Sequence, residues 1–341
     1  MRPEPLSTLR IVQASARVHA WSGEAAVTLA AGAFSATFLP EVGMLGVSMT
    51  VHGEELLALP RSLADYRAGM PNGGYTGLPL NAPYANRLSK RRFALEGRRV
   101  ELDREVAEDR HGTPIHGTMH ARAFSIDHLD ATGTAARLIA SFRHSSGKLL
   151  RAFPFEHVVS IAARVDGRGL ALTTAITTDE RVRVPVSFGW HPFLRVPRSP
   201  RAGWRLRLPP RRHAVLDDRL LPTGRECREP AEFVSLADRS FDDHYALGSD
   251  RRFELFDRRH RVVVRFGAGF PYAQIYVPPP RQAATGTETE WTTRDFACIE
   301  PMTAPVDALV TGAYPVATRS APFRAKFTIL AGTSGPAAVP G

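Results

Sequence analysis

The run FACIEPMTAPVDAL, Phe296 to Leu309, puts a carboxylate, Glu300, at the end of an apolar stretch and directly before a proline. A buried carboxylate without a partner is costly, so a chain places one there only with a partner or a task. Other segments also set polar side chains among apolar ones. NAPYANRL offers Asn86 and Arg87 after a proline-bearing turn, and TPIHGTMH puts His116 before Gly117, where backbone or ligand can approach closely. VSFGWHPFLRV holds His191 between Trp190 and Pro192, an imidazole with aromatic neighbours of the kind that stack on a sugar ring. SFDDHYAL supplies Asp242, Asp243 and His244, and FPYAQIYVPPP carries Gln274 inside an apolar strand. On a strand only one of the two aspartates points inward. Together these residues suit a neutral polyhydroxylated ligand and a two-sided proton transfer.

Other chemistries fit less well. His116 and His120 on a strand would share a face about 13 Å apart, too far for one ion, so no metal is expected. The two cysteines, Cys227 and Cys298, lack metal-ligand spacing and read as reduced thiols. There is no phosphate-cradling glycine loop, serine nucleophile elbow or cysteine nucleophile.

The elements that must position these residues read as strands. FALEGRRVEL alternates about a Glu96-Gly97 turn, and FELFDRRHRVVVRF repeats the plan with a charged connection. AAVTLAAGAFSATFLP, ARLIASFRH, FEHVVSIAARV, LALTTAITT and FRAKFTIL are further strand-like runs. Many short strands jointed by glycine and proline predict an all-β sandwich. With no fixed-period repeat and no dividing linker, residues 1–341 read as one domain, with a disordered tail over 331–341. VPPPRQAATGTETEW, Val277 to Trp291, reads as a rim or lid.

The net charge of +10 invites a nucleic-acid reading, but the basic residues are not gathered. Of 44 only three are lysine, so 41 are arginine, scattered among acids. The expectation is no nucleic-acid partner. No apolar run approaches a membrane span and MRPEPLSTLR lacks a signal-like segment, which predicts a cytoplasmic protein without membrane contact.

In this order NAPYANRL, IHG, GWHPF, FDDHYAL, FPYAQIYVP and CIEPMTAPVDAL resemble the motifs of the aldose 1-epimerase (galactose mutarotase) family, from roughly Gly43 to Leu330. The resemblance implies a large antiparallel β-sandwich, the supersandwich, and interconversion of the α- and β-anomers of a free aldose without cofactor or metal. It implies Glu300 as general base, His191 as general acid, and His116 and Arg87 around the ring oxygen. Asn86, Asp242 and Gln274 match ligand-binding positions, with Asp243 as the neighbour of the ungapped match. The expected geometry holds acid and base on opposite sides of the hemiacetal. Thr118 stands where the family usually has a second glycine, and the glycine that often follows its NR segment is absent from NRLSKRRF. The alternatives are a mutarotase for hexose 6-phosphates, with Arg87, Arg91, Arg92 and Arg122 as a clamp, and a noncatalytic sugar-binding protein. Which aldose, whether His191 or His116 is the acid, and whether the protein is a monomer or homodimer stay open at this level.

Overall fold

The structure, a computed structural model, describes residues 13–58, 63–67, 76–104, 106–145, 147–179, 181–279 and 295–333. Two large sheets dominate it, and every strand pair among the described residues is antiparallel. The nine-stranded sheet runs Glu232–Ser235, Arg205–Leu208, Arg252–Phe256, His260–Phe266, Phe323–Thr333, Gly169–Thr177, His157–Asp166, Ala135–His144, Ser125–Thr132. The eight-stranded sheet runs Pro222–Glu229, Arg211–Leu216, Phe241–Leu247, Tyr272–Val277, Ala297–Met302, Gly189–Trp190, Leu80–Asn81, with Phe193–Leu194 pairing onto Ala297–Met302. A five-stranded sheet, Ser15–Trp21 through Glu54–Glu55, packs Glu24–Ala31 against Ala135–His144 and His157–Asp166. This is the expected antiparallel β-sandwich.

Side-chain alternation builds the core. In His157–Asp166, Val159, Ile161, Ala163 and Val165 are buried, while the residues between them are more exposed. The facing sheet offers Ala273, Ile275, Ala297 and Ile299, all fully buried. Trp190 and Phe270 of that side both meet Phe327 of the nine-stranded sheet, at 6.1 and 5.8 Å between ring centroids. Each such buried side chain contributes about 1.5–3 kcal/mol through loss of apolar surface.

The hairpin predicted at Glu96-Gly97 forms between Arg92–Leu95 and Arg98–Glu101. Both turn residues have positive φ, 47° and 76°, the two-residue turn whose twist matches that of the strands. One boundary differs from expectation: Phe323–Thr333 runs into the segment read as a disordered tail. Ala331 and Gly332 pair with Val262 and Arg261, so backbone hydrogen bonding extends the strand where side chains give little signal. The rest of that tail, and residues 280–291 of the expected rim, lie outside the described residues. Among the described residues no helix is long and apolar enough to cross a membrane.

Candidate active site

Three neighbouring strands of the eight-stranded sheet, Phe241–Leu247, Tyr272–Val277 and Ala297–Met302, form the floor of a polar site on the face turned away from the core. Antiparallel register puts His244 opposite Gln274, and Gln274 opposite Glu300. Directly paired residues share a face, so these three make one polar row. Apolar side chains flank it. Tyr276 and Cys298 join Phe193 and Phe296 on one side, and Tyr272, Met302, Val306 and Ala85 lie on the other. The alternation explains how FACIEPM accommodates a carboxylate. Ile299 faces the core and Glu300 faces the row, yet loops cover that face so well that Glu300 is 1% exposed.

His191 follows Gly189–Trp190, and its backbone N–H donates to the Pro79 carbonyl at 3.0 Å. The sequence suggested that Trp190 frames this histidine. Instead Trp190 points into the core and donates Nε1–H to Thr174 Oγ1 at 3.0 Å, as the two-residue period requires. The ring that frames His191 is Phe193, stacked at 4.5 Å and 18°. His191 Nε2 lies 3.1 Å from Glu300 Oε1. Glu300 and His191 are thus in direct contact, rather than on opposite sides of a gap as expected.

Burial governs the charges here. It raises the Glu300 carboxyl well above its usual range, and the nearby Asp242 carboxylate adds to this against the opposing pull of Arg87. Burial pushes His191 down to about 3, and it lowers His116 strongly, with His191 and Arg87 adding to the effect. The favoured form is therefore a neutral carboxylic acid beside a neutral imidazole.

Two interlaced loops supply the remaining groups. His116 N–H donates to the Asn86 carbonyl at 3.0 Å, and Thr118 and Met119 N–H donate to the Ala82 carbonyl at 2.9 and 3.0 Å. Asn86 and His116 both have left-handed backbone, φ 59° and 64°. Gly117 is required: its φ is 76°, and a Cβ there would sit 2.2 Å from the Ala82 oxygen. Thr118 has no positive φ, so threonine is tolerated at the next position. Asn81 Nδ2 lies 2.8 Å from His116 Nδ1; the amide donates, which leaves the His116 proton on Nε2. The His116 and His191 rings meet edge to face at 5.3 Å.

Arg87 ties the loops to the floor. Its guanidinium donates to Asp109 Oδ2 at 2.6 Å, to Asp242 Oδ2 at 3.2 Å and to Asn86 Oδ1 at 3.2 Å. Gln274 Nε2 donates to the other Asp242 oxygen at 2.8 Å. Asp242 therefore belongs to the network. Asp243 points away and meets His213 and Tyr245.

Glu300, His191, His116, Arg87, Asn86, Asp242 and Gln274 are thus brought together. His120 is not part of the set; its ring packs edge-on to Tyr66 at 6.2 Å. Sequence reasoning missed Asp109 as the partner of Arg87, and Asn81 as the partner of His116. Asp109 accepts from the His111 and Thr113 N–H groups, a turn that D-x-H-G chemistry could have flagged. Among the described residues no group of three or more His, Cys, Asp or Glu is placed to hold a metal ion.

A family model described as aldose 1-epimerase matches residues 25–310. A galactose mutarotase-like protein from Clostridium acetobutylicum superposes with a TM-score of 0.81 at 18% identity, covering 94% of this chain and 99% of that one. The galactose 1-epimerase from Lactobacillus acidophilus superposes with a TM-score of 0.72 at 12% identity, covering 95% and 99%. The GalM/aldose epimerase homologue from C. elegans gives 0.69 at 12%, covering 94% and 100%. No curated protein matches the chain.

Proposed function

The chain belongs to the aldose 1-epimerase family, and from that premise we propose that it is a mutarotase acting on a free aldose by acid–base ring opening and closure. The observation that carries this reading is the buried Glu300–His191 contact of 3.1 Å beside the Arg87 network. A carboxyl raised by burial and an imidazole lowered by it hold one proton between them, and that proton can reside on either.

The hydroxyl oxygen at C1 and the ring oxygen are attached to the same carbon. An acid and a base in mutual contact can therefore reach both. Glu300 as carboxylate takes the C1 hydroxyl proton while His191 as imidazolium gives its proton to the ring oxygen. The C1–ring oxygen bond breaks and the C1 carbonyl forms. Rotation about C1–C2 and the reverse transfers close the ring on the opposite face. The reactive pair has the same proton count as the neutral pair, so no proton need enter or leave. His116, with its proton on Nε2, and Arg87 stabilise charge at the ring oxygen, and Asn86, Asp242 and Gln274 bind the other hydroxyls.

The four arginines considered as a phosphate clamp argue for a free sugar. Arg87 already bridges Asp109 and Asp242. Arg91 pairs with Glu108 and Arg92 with Glu101, along a surface cavity that also holds Asp103. Arg122 lines a different cavity.

Polarimetry of freshly dissolved glucose, galactose and glucose 6-phosphate tests the proposal. Wild-type protein should accelerate anomer conversion of a free sugar. Glu300→Gln should stay folded and bind sugar but lose about 10²–10⁴-fold in kcat. Equal turnover by both proteins would sink the assignment.

A further inference from the structure

The polar row continues one strand beyond the groups used above. His244 lies on the same face as Gln274 and Glu300, and neighbouring strands put its Cα about 10 Å from that of Glu300. It is 2% exposed. Among the described residues neither Nδ1 nor Nε2 completes a well-formed hydrogen bond; the Gln274 carboxamide lies close enough to pull on the ring's proton, yet its Oε1 is not met in good geometry either. Buried imidazoles and amides are rarely left so.

The two carboxylates on the His244 strand are committed elsewhere. Asp242, two residues earlier on the same face, is held by Arg87 and Gln274. Asp243, on the opposite face, contacts His213 and Tyr245. Meanwhile the imidazole stacks on Tyr272, 5.7 Å between centroids and 15° between planes, which fixes the ring and leaves its nitrogens in the row. Burial and the nearby His213 hold His244 at about 4, against the pull of the Gln274 carboxamide, so it is neutral at pH 7 and offers one donor and one acceptor. A position that served packing alone would be better filled by phenylalanine or leucine.

We propose that His244 is a sugar-binding residue: its ring nitrogens, with Gln274 Oε1, take a hydroxyl at the end of the pyranose remote from the anomeric carbon. This rests on the ring-opening reading, which sets the anomeric carbon at Glu300. The interval along the row is one that a single pyranose with its outward hydroxyls bridges between side-chain tips. The configuration of that remote hydroxyl then becomes a determinant of which aldose is accepted.

The test compares wild type with His244→Phe, which keeps a ring on Tyr272 and removes both nitrogens. The substrates are glucose, galactose and their 3-deoxy, 4-deoxy and 6-deoxy forms, with kcat and KM read by polarimetry. With the parent sugar the variant should show a higher KM and about tenfold lower kcat/KM, with kcat less changed. With one deoxy sugar the difference should shrink to about twofold or less, because that hydroxyl is missing for both proteins. A uniform loss across all sugars, or no loss, overturns the assignment of His244 while leaving the mutarotase intact. If His244→Phe does not fold, His244→Leu is read the same way. If the wild type accelerates none of the sugars and Glu300→Gln changes nothing, the ring-opening reading has failed and the role of His244 falls with it.

Discussion

Two buried histidine pairs invite comparison. His144 and His157 stack at 4.7 Å and 24° at the ends of two paired strands of the nine-stranded sheet, and His116 and His191 meet at 5.3 Å and 84° over the eight-stranded one. Burial lowers all four. Depression by burial alone therefore does not mark a functional site. The partners do. His144 Nε2 donates to the Phe153 carbonyl at 2.9 Å and His157 Nδ1 to the Phe155 carbonyl at 2.8 Å, which pins a proton on each ring because a carbonyl can only accept. Phe153 closes the cluster edge-on to both. At the other pair the side-chain partners are an amide, Asn81 at His116, and a carboxyl, Glu300 at His191, and a carboxyl can both give and take a proton.

The sharpest way to break this contrast is to remove the imidazole that faces the carboxyl. His191→Asn should lower kcat by about 10²–10⁴-fold with the fold retained, measured by polarimetry alongside circular dichroism. A variant that turns over sugar at near wild-type rate would make His116 the acid instead.

The matching substitution in the other pair should act on stability alone. His157→Phe leaves the Phe155 carbonyl without its donor and should cost about 1–3 kcal/mol in urea unfolding, with kcat/KM within about twofold of wild type. It should also change the response to acid. His157 sits at about 3 in the folded protein, below its usual 6.5. The unfolded chain therefore binds more protons between those values, and the stability that His157 preserves above pH 6.5 is lost as pH falls toward 3. Removing it should make the fall in stability on acidification shallower. A turnover loss as large as that of His191→Asn would dissolve the distinction between the pairs.

The sequence carried unequal amounts of this. Strand alternation and the Glu96-Gly97 turn are local signals, and they led to the right class of fold. The site residues were legible because GWHPF, IHG and CIEPM interrupt apolar strands with polar groups. Trp190 was misplaced although its neighbour His191 was not, because an aromatic next to a histidine looks like a frame until the two-residue period is applied. The contact between His191 and Glu300 depends on the pairing of Ala297–Met302 with Phe193–Leu194 and Gly189–Trp190. A register between segments more than a hundred residues apart leaves no mark in either segment alone. Asp109 as the partner of Arg87 was hidden for the same reason in a chain with 34 acids available. His144 and His157 read in sequence as ordinary strand residues, and only the fold shows that they are the structural counterpart of the site pair.

The smallest expected effect is an absence of change with pH, and it sharpens the comparison most. With ordinary values of 4.5 for the carboxyl and 6.5 for the imidazole, an active carboxylate–imidazolium pair would be lost as pH falls past 4.5 or rises past 6.5. Here burial has moved the carboxyl up and the imidazole down to about 3, which reverses their order. Between the two shifted values the pair holds one proton in total, and the reactive arrangement is a constant fraction of that population. Acidification toward 3 adds a second proton and silences the base. Alkaline pH above the raised Glu300 value removes the last proton and silences the acid. Neither happens across the ordinary carboxylate value of 4.5, so kcat/KM measured from pH 4.5 to 5.5, corrected for buffer catalysis, should vary by no more than about twofold. A tenfold fall per pH unit on acidification through 4.5 would mean that Glu300 titrates as an exposed carboxyl. The protons at Glu300 and His191 would then be exchanged with solvent rather than shared between the two side chains.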